Sequence, residues 1–153
     1  MTDLKVTSGD FTEGGDIPKQ FTCDGRNENP NIEIDGLPEK TQSLALIMED
    51  PDAPHGTFTH WVVWNISKDA TEFTRGTTPN GVVQGTNDFG KTGYGGPCPP
   101  SGQHRYYFRV FALDTKLKLP ATAHRRDLDA ALKGHVLGKA VLMGRYGRET
   151  LAK

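Results

Sequence analysis

Apolar and polar positions along this chain alternate mostly with period two, the mark of strands with one buried face. Leu4, Val6 and Ser8 outline a short strand within residues 1–9, and Ile32 and Ile34 another over Asn31–Asp35. Ser43–Met48 (SLALIM) is instead a nearly unbroken apolar run between turn residues, which predicts a central strand covered on both faces. Thr57–Ser67 (TFTHWVVWNIS) sorts His60, Val62, Trp64 and Ile66 onto one face and Trp61, Val63 and Asn65 onto the other. His104–Asp114 aligns His104, Tyr106, Phe108, Val110 and Ala112, and Lys139–Tyr146 supplies a last strand. Val82–Val83 starts a brief one. Only one segment follows the helical period. Over about His124–Lys133, Leu128, Ala131 and Leu132 fall at i, i+3 and i+4, with Thr122 the predicted N-cap and Gly134 the stop.

Loops separate these elements. Residues 10–30, 36–40 and 68–81 are punctuated by Gly14-Gly15, Pro18, Asp24-Gly25, Asn29-Pro30, Gly76 and Asn80-Gly81. The whole reads as mainly β, with antiparallel sheets packed face to face and one or two short peripheral helices. At 153 residues it fits one domain, 1–153, large enough to bury a core without staples.

Charge changes the picture little. Eighteen basic residues against 19 acidic give a formal net charge of −1, so no general nucleic-acid footprint exists. No apolar run approaches the ~20 residues of a membrane span. MTDLKVTSGDF carries neither a basic nor an apolar leader, and the expectation is a cytoplasmic protein. The two cysteines, Cys23 and Cys98, stand at no metal-type spacing. Two reduced thiols are the default in that compartment, while a disulfide between them depends on geometry that sequence does not give.

The chemistry concentrates in Gly85–Asp114, where a loop rich in glycine and proline runs into the His104 strand. Its opening, Gly85-Thr-Asn-Asp-Phe-Gly-Lys-Thr92, matches the phosphate-loop pattern GxxxxGK[ST] letter for letter. That motif needs a helix behind it, whose free N–H groups cradle phosphate. GYGGPCPP follows instead, and it forbids a helix. The match is a decoy. Elsewhere, Asp50 and Asp52 follow the SLALIM strand in DPDAP and, if extended, share one side. His60 begins one strand, and His104 and Tyr106 begin another. Where these strands are neighbours, the five side chains converge at one sheet end.

DPDAP (50–54), HWVVWNI (60–66) and GYGGPCPPSGQHRYYFRVFALD (93–114), in this order, resemble the phosphatidylethanolamine-binding protein family, in particular its prokaryotic Raf-kinase-inhibitor-like branch. IPKQFTCDG (17–25) and KGHVLGKAVLMGRYGR (133–148) are similar to that branch as well. The resemblance implies an antiparallel β-sandwich with a small end pocket for anionic or phosphoryl groups. It assigns to that pocket Asp50, Asp52, His60, Gly96, Pro97, His104 and Tyr106, with Pro99 and Pro100 as alternatives to Pro97. Histidine charge, stabilised by a carboxylate, and backbone N–H groups of the glycine-rich turn would hold the anion. No cofactor or catalytic residue is implied. Partners would be a small anion or phosphorylated head group and a regulated kinase or protease, and the branch tends toward homodimers. Eukaryotic members carry a further helix beside the pocket. Only seven residues follow Tyr146 here, so a more open pocket is expected. Two enzymatic alternatives use the same residues: a metal-dependent hydrolase built on the histidines and carboxylates, and a hydrolase pairing Cys98 with His104.

Overall fold

The structure is a computed structural model and describes residues 3–148. A five-stranded antiparallel sheet has the order β6(Val83–Gln84), β4(Phe58–Ser67), β3(Ser43–Asp50), β7(Gly102–Leu113), β8(Val136–Arg148). A three-stranded sheet, β1(Lys5–Thr7), β2(Ile32–Asp35) and β5(Glu72–Phe73), packs across it. The sandwich expected from alternation is therefore present. β3 lies at the centre and is buried at every position, because a different layer covers each of its faces. Leu44, Leu46 and Met48 meet Val6, Ile32 and Ile34 of the small sheet. Ala45 and Ile47 meet Leu128 and Leu132 of the single helix, α1(Arg125–Leu132).

Two elements were not foreseen: β5, in the stretch 68–81 read as loop, and a one-turn 3-10 helix at Lys19–Phe21. The N-cap of α1 is His124 rather than Thr122. Ala123 is buried beneath the sheet and its carbonyl accepts from Thr86 N–H, so the chain turns helical only after it. There His124 N–H donates to Asp127 Oδ2 at 2.9 Å in a reciprocal capping box. Gly134, at φ 80°, ends the helix as expected.

The facing of β4 differs from simple alternation. Trp61, Val63 and Ile66 face the small sheet, whereas Val62 and Trp64 face the helix. Two bulges are responsible, each an extra β4 residue opposite β3, between Leu44 and Leu46 and between Met48 and Glu49. The first contains Asn65 at φ 57°. Its side-chain amide pairs with the Leu117 backbone in both directions, at 2.9 and 2.8 Å. The second bulge holds His60 and turns it off the Val62 face.

The two cysteines form a disulfide, Cys23–Cys98, with Cα atoms 5.4 Å apart, so the default of free thiols is corrected. The early loop and the glycine-rich loop run side by side here, a contact between residues 75 apart. Among the described residues no helix is long and apolar enough to cross a membrane. The expectation that no further helix closes the pocket after Tyr146 falls partly on 149–153, outside the described residues.

Candidate functional site

A cavity of about 300 Å³ opens at the end of the large sheet where β3 finishes and β4 and β7 begin. Asp50, His60, His104 and Tyr106 line it. All four are buried, and each arrives by a local device. Asp50 is the last residue of β3, and its Oδ1 accepts from Asp52 N–H at 2.8 Å, starting the turn that reverses the chain into β4. Its Oδ2 lies 2.6 Å from His104 Nδ1, which leaves Nε2 as the ring nitrogen free for a ligand. Tyr106 follows two residues on, stacked on His104 with centroids 6.3 Å apart. His60, aimed by its bulge, meets the Tyr106 ring edge-on at 5.3 Å.

His60 Nδ1 donates to the Gly95 carbonyl at 2.8 Å. Burial pushes its pKa below the ordinary histidine value, against the opposing pull of the Gly95 carbonyl and Asp50. Burial thus favours the neutral ring, in which Nδ1 keeps its proton on the Gly95 carbonyl and Nε2 carries the lone pair. Burial, and secondarily the Asp50 and Asp52 charges, raises the Tyr106 pKa far above the usual phenol range. Its hydroxyl is buried and has no hydrogen-bond partner among the described residues. The Cys98 backbone N–H acts on the same oxygen in the opposite sense and lowers that pKa; as a donor it leaves the hydroxyl hydrogen without an acceptor.

Three expected residues stand elsewhere. Asp52 does not line the cavity. The turn after Asp50 sends it outward, where it accepts from the Arg105 backbone N–H and from guanidinium Nε and Nη2 at 2.8–2.9 Å. Gly96 and Pro97 lie behind the wall, and Cys98, Pro99 and Pro100 form its surface. A Cβ on Gly96 would sit 2.2 Å from the Phe21 carbonyl oxygen, so this glycine serves close packing between loops. The amides expected to face an anion are also engaged: Gly95 N–H donates to the His60 carbonyl and Gly96 N–H to Asn27 Oδ1. Tyr94 Oη donates to the Phe21 carbonyl at 2.6 Å, and Cys23 N–H to the Pro97 carbonyl. With the disulfide, these bonds fix the wall.

Sequence reasoning missed Phe58 and Phe89. Both line the cavity and pack edge-on against each other and against His60, with centroids 4.8–5.3 Å apart. The one available signal was Phe89, an aromatic inside the otherwise polar stretch 85–92. That loop carries the phosphate-loop pattern, and no helix follows it: Asn87 closes the turn by accepting from Phe89 and Lys91 N–H. Gly95 completes the arrangement, since a Cβ there would lie 2.5 Å from the Phe89 ring.

The arrangement defines a class: an antiparallel sandwich whose end cavity sets a buried aspartate–histidine pair and an unpaired phenol among aromatic and proline walls. Residues 7–147 match the family model described as phosphatidylethanolamine-binding protein, and the chain belongs to that family. A UPF0098 protein of Methanothermobacter thermautotrophicus is 51% identical over 143 residues, covering 90% of this chain and 95% of its own. A UPF0098 protein of Aquifex aeolicus is 47% identical over 153 residues, covering 95% and 90%. Among solved structures, a phosphatidylethanolamine-binding protein homologue from Chlamydia trachomatis superposes with a TM-score of 0.92 at 36% identity, covering 97% of this chain and 100% of that one. E. coli YbcL, described as a new member of the mammalian phosphatidylethanolamine-binding protein family, gives 0.90 at 32% identity, covering 96% and 99%. These relatives are prokaryotic.

Proposed function

We propose that this protein binds a small anionic or phosphorylated head group in the end cavity without turning it over, and that occupancy regulates a protein partner of the kinase or protease type. One observation carries the reading: the Tyr106 hydroxyl, buried and unpaired, beside the Asp50–His104 pair on the wall of an open cavity. A buried polar group left without a partner costs about 1–3 kcal/mol, which a ligand oxygen would recover. The relatives' family name supports a phosphorylated ligand. Asp50, His60, His104 and Tyr106 are the proposed contacts, Gly96 and Pro97 the packing behind them, and Asp52 an outer-face partner of Arg105.

The hydrolase alternatives have less support. Cys98 Sγ is bonded to Cys23 and offers no thiolate. Among the described residues, no three ligand-type side chains are grouped to hold a metal. Cytoplasmic residence rests on sequence alone, and the disulfide bears against it, since such bonds persist chiefly in oxidising compartments. Homodimerisation is a proposal that sedimentation would decide.

Titration with phosphate and phosphoethanolamine, followed through the ring resonances of His60 and His104, tests the pocket. Saturable shifts of both are expected, and unmoved resonances at millimolar ligand would overturn the reading. If phosphoethanolamine displaces a captured partner, the cavity mediates that contact; if not, another surface does.

A further inference from the structure

Away from the end cavity, β8 is the outermost strand of the large sheet. Its residues alternately face β7 and face outward, as an antiparallel strand requires. Met143 and Arg145 fix which set is which, because their N–H and C=O groups turn away from β7. The Met143 carbonyl accepts from Gly14 N–H and the Arg145 carbonyl from Ile17 N–H, both at 2.7 Å. Arg145 N–H donates to the Gly15 carbonyl at 2.8 Å, and Met143 N–H to Glu13 Oε1 at 3.1 Å. Residues 13–17 close this end of the edge, and the cover stops at Glu13.

The same alternation turns the backbone groups of Lys139 and Val141 outward, and among the described residues nothing pairs with them. Ala140 and Leu142 face Val110 and Phe108 of β7 instead. Sheet edges are normally covered, twisted away or guarded by a charge. Lys139 is such a guard, yet Val141 beside it is 48% exposed, one of two large hydrophobic side chains so exposed among the described residues. Lys139 has no ion pair among the described residues. Arg109, across from Val141, is held by Glu49. The charge these open groups offer a newcomer is therefore positive.

We propose that β8 accepts an added strand along residues 138–142, an extended acidic segment of a partner protein. Its backbone pairs with the outward groups of Lys139 and Val141, the mode by which sheet edges bind peptides. An acidic side chain stands opposite Lys139, and a β-branched one, two positions away on the same face, covers Val141. A second copy of this chain fits less well. Two-fold pairing through the same four groups sets Lys139 of one copy opposite Val141 of the other, which leaves the two lysines on a diagonal of roughly 7–8 Å. From Val141 to Tyr146, the partner of His104, is roughly 15–17 Å of strand, so the edge can be filled whatever the cavity holds.

The probe is the acetylated, amidated peptide Thr-Val-Thr-Glu-Thr-Val-Thr, which presents the same pattern in either direction; the control carries Lys for Glu. Exchange of single amides in the wild-type chain is followed by NMR at millimolar peptide. The Lys139 and Val141 amides should slow several-fold, while Ala140 and Leu142, already turned to β7, should not change. The acidic peptide should bind about fivefold more tightly than the basic one, the difference between an opposite and a like cross-strand charge pair. Lys139→Glu, an exposed change that keeps the fold, should reverse that order. Val141→Pro removes one outward N–H, a change edge strands tolerate, and should abolish binding of both peptides. Unchanged exchange at Lys139 and Val141, or equal affinity for the two peptides, would overturn the proposal. Protection of these amides without peptide, rising with protein concentration and matched by dimers in sedimentation, would give the edge to a second copy and overturn it as well.

Discussion

The ends of β3 and β7 carry two faces, one residue apart in sequence and opposite in chemistry. On the outer face charged groups pair with one another, although Arg125 Nε keeps only a 3.2 Å ion pair with Asp129 and no hydrogen bond. Asp52 grips Arg105, Arg105 and Arg109 lie over the Tyr107 ring at 5.8 and 5.1 Å, and Glu49 bridges Arg109 and Arg125 of α1. On the inner face Asp50 and His104 satisfy each other, but the Tyr106 hydroxyl is left over. A ligand at the outer face must first break a bond. At the inner face it gains one outright. The saturated face ties sheet to helix, and the unsaturated one is where binding lowers the free energy.

The largest expected effect breaks the inner pair. Asp50→Ala leaves His104 buried without its carboxylate, and breaking a buried pair from one side costs about 3–5 kcal/mol. The low end of that range, about 3 kcal/mol, is expected in urea denaturation, with ligand binding lost. Should Asp50→Ala cost no more than Asp52→Ala, the two faces would not differ as described. Next comes the wall. Replacing both Cys23 and Cys98 by Ser opens a link across 75 residues and should remove about 2–4 kcal/mol, measured as a fall in Tm. The hydrogen bonds of Tyr94, Cys23 and Gly96 across the same seam should keep the cavity shape and some ligand affinity.

How far sequence reaches follows the same division. The sandwich, the doubly covered β3 and the Gly134 stop were legible because each depends on residues within a few positions. The direction of His60 was not, since the bulge that aims it exists only in register with Met48 and Glu49. The resemblance assigned Asp52 to the pocket and extended backbone would have put it beside Asp50, whereas Asp50 itself starts the turn that parts them. Gly96 and Pro97 belong to a seam with the 21–27 loop, and the disulfide belongs to that seam too. The motif resemblance carried Asp50, His60, His104 and Tyr106 together. It gave no hint that Phe58 and Phe89 would close the cavity.

Tyr106→Phe separates stability from binding. Removing a hydroxyl that has no partner should leave stability unchanged or raise it by up to about 1 kcal/mol. Phosphate-group affinity should fall about tenfold, the loss of one good hydrogen bond. A variant that is destabilised by more than that would mean the hydroxyl is already satisfied in the free protein.

The smallest effect belongs to the outer face, and pH isolates it. The Arg105 guanidinium holds the Asp52 carboxyl down to about 2 from 3.8. A carboxyl depressed on folding contributes stability that is fully present above the unfolded value. That contribution is lost as pH falls through the folded one. The Asp52–Arg105 term should therefore be intact above about pH 4 and vanish toward pH 2. Both partners are partly exposed, so Asp52→Asn should cost no more than about 1 kcal/mol at pH 7. The variant and the wild type should converge in stability by pH 2, and ligand binding at neutral pH should be the same in both. Loss of binding in Asp52→Asn at full stability would move Asp52 from the turn into the site, and the outer face could no longer be read as structural alone.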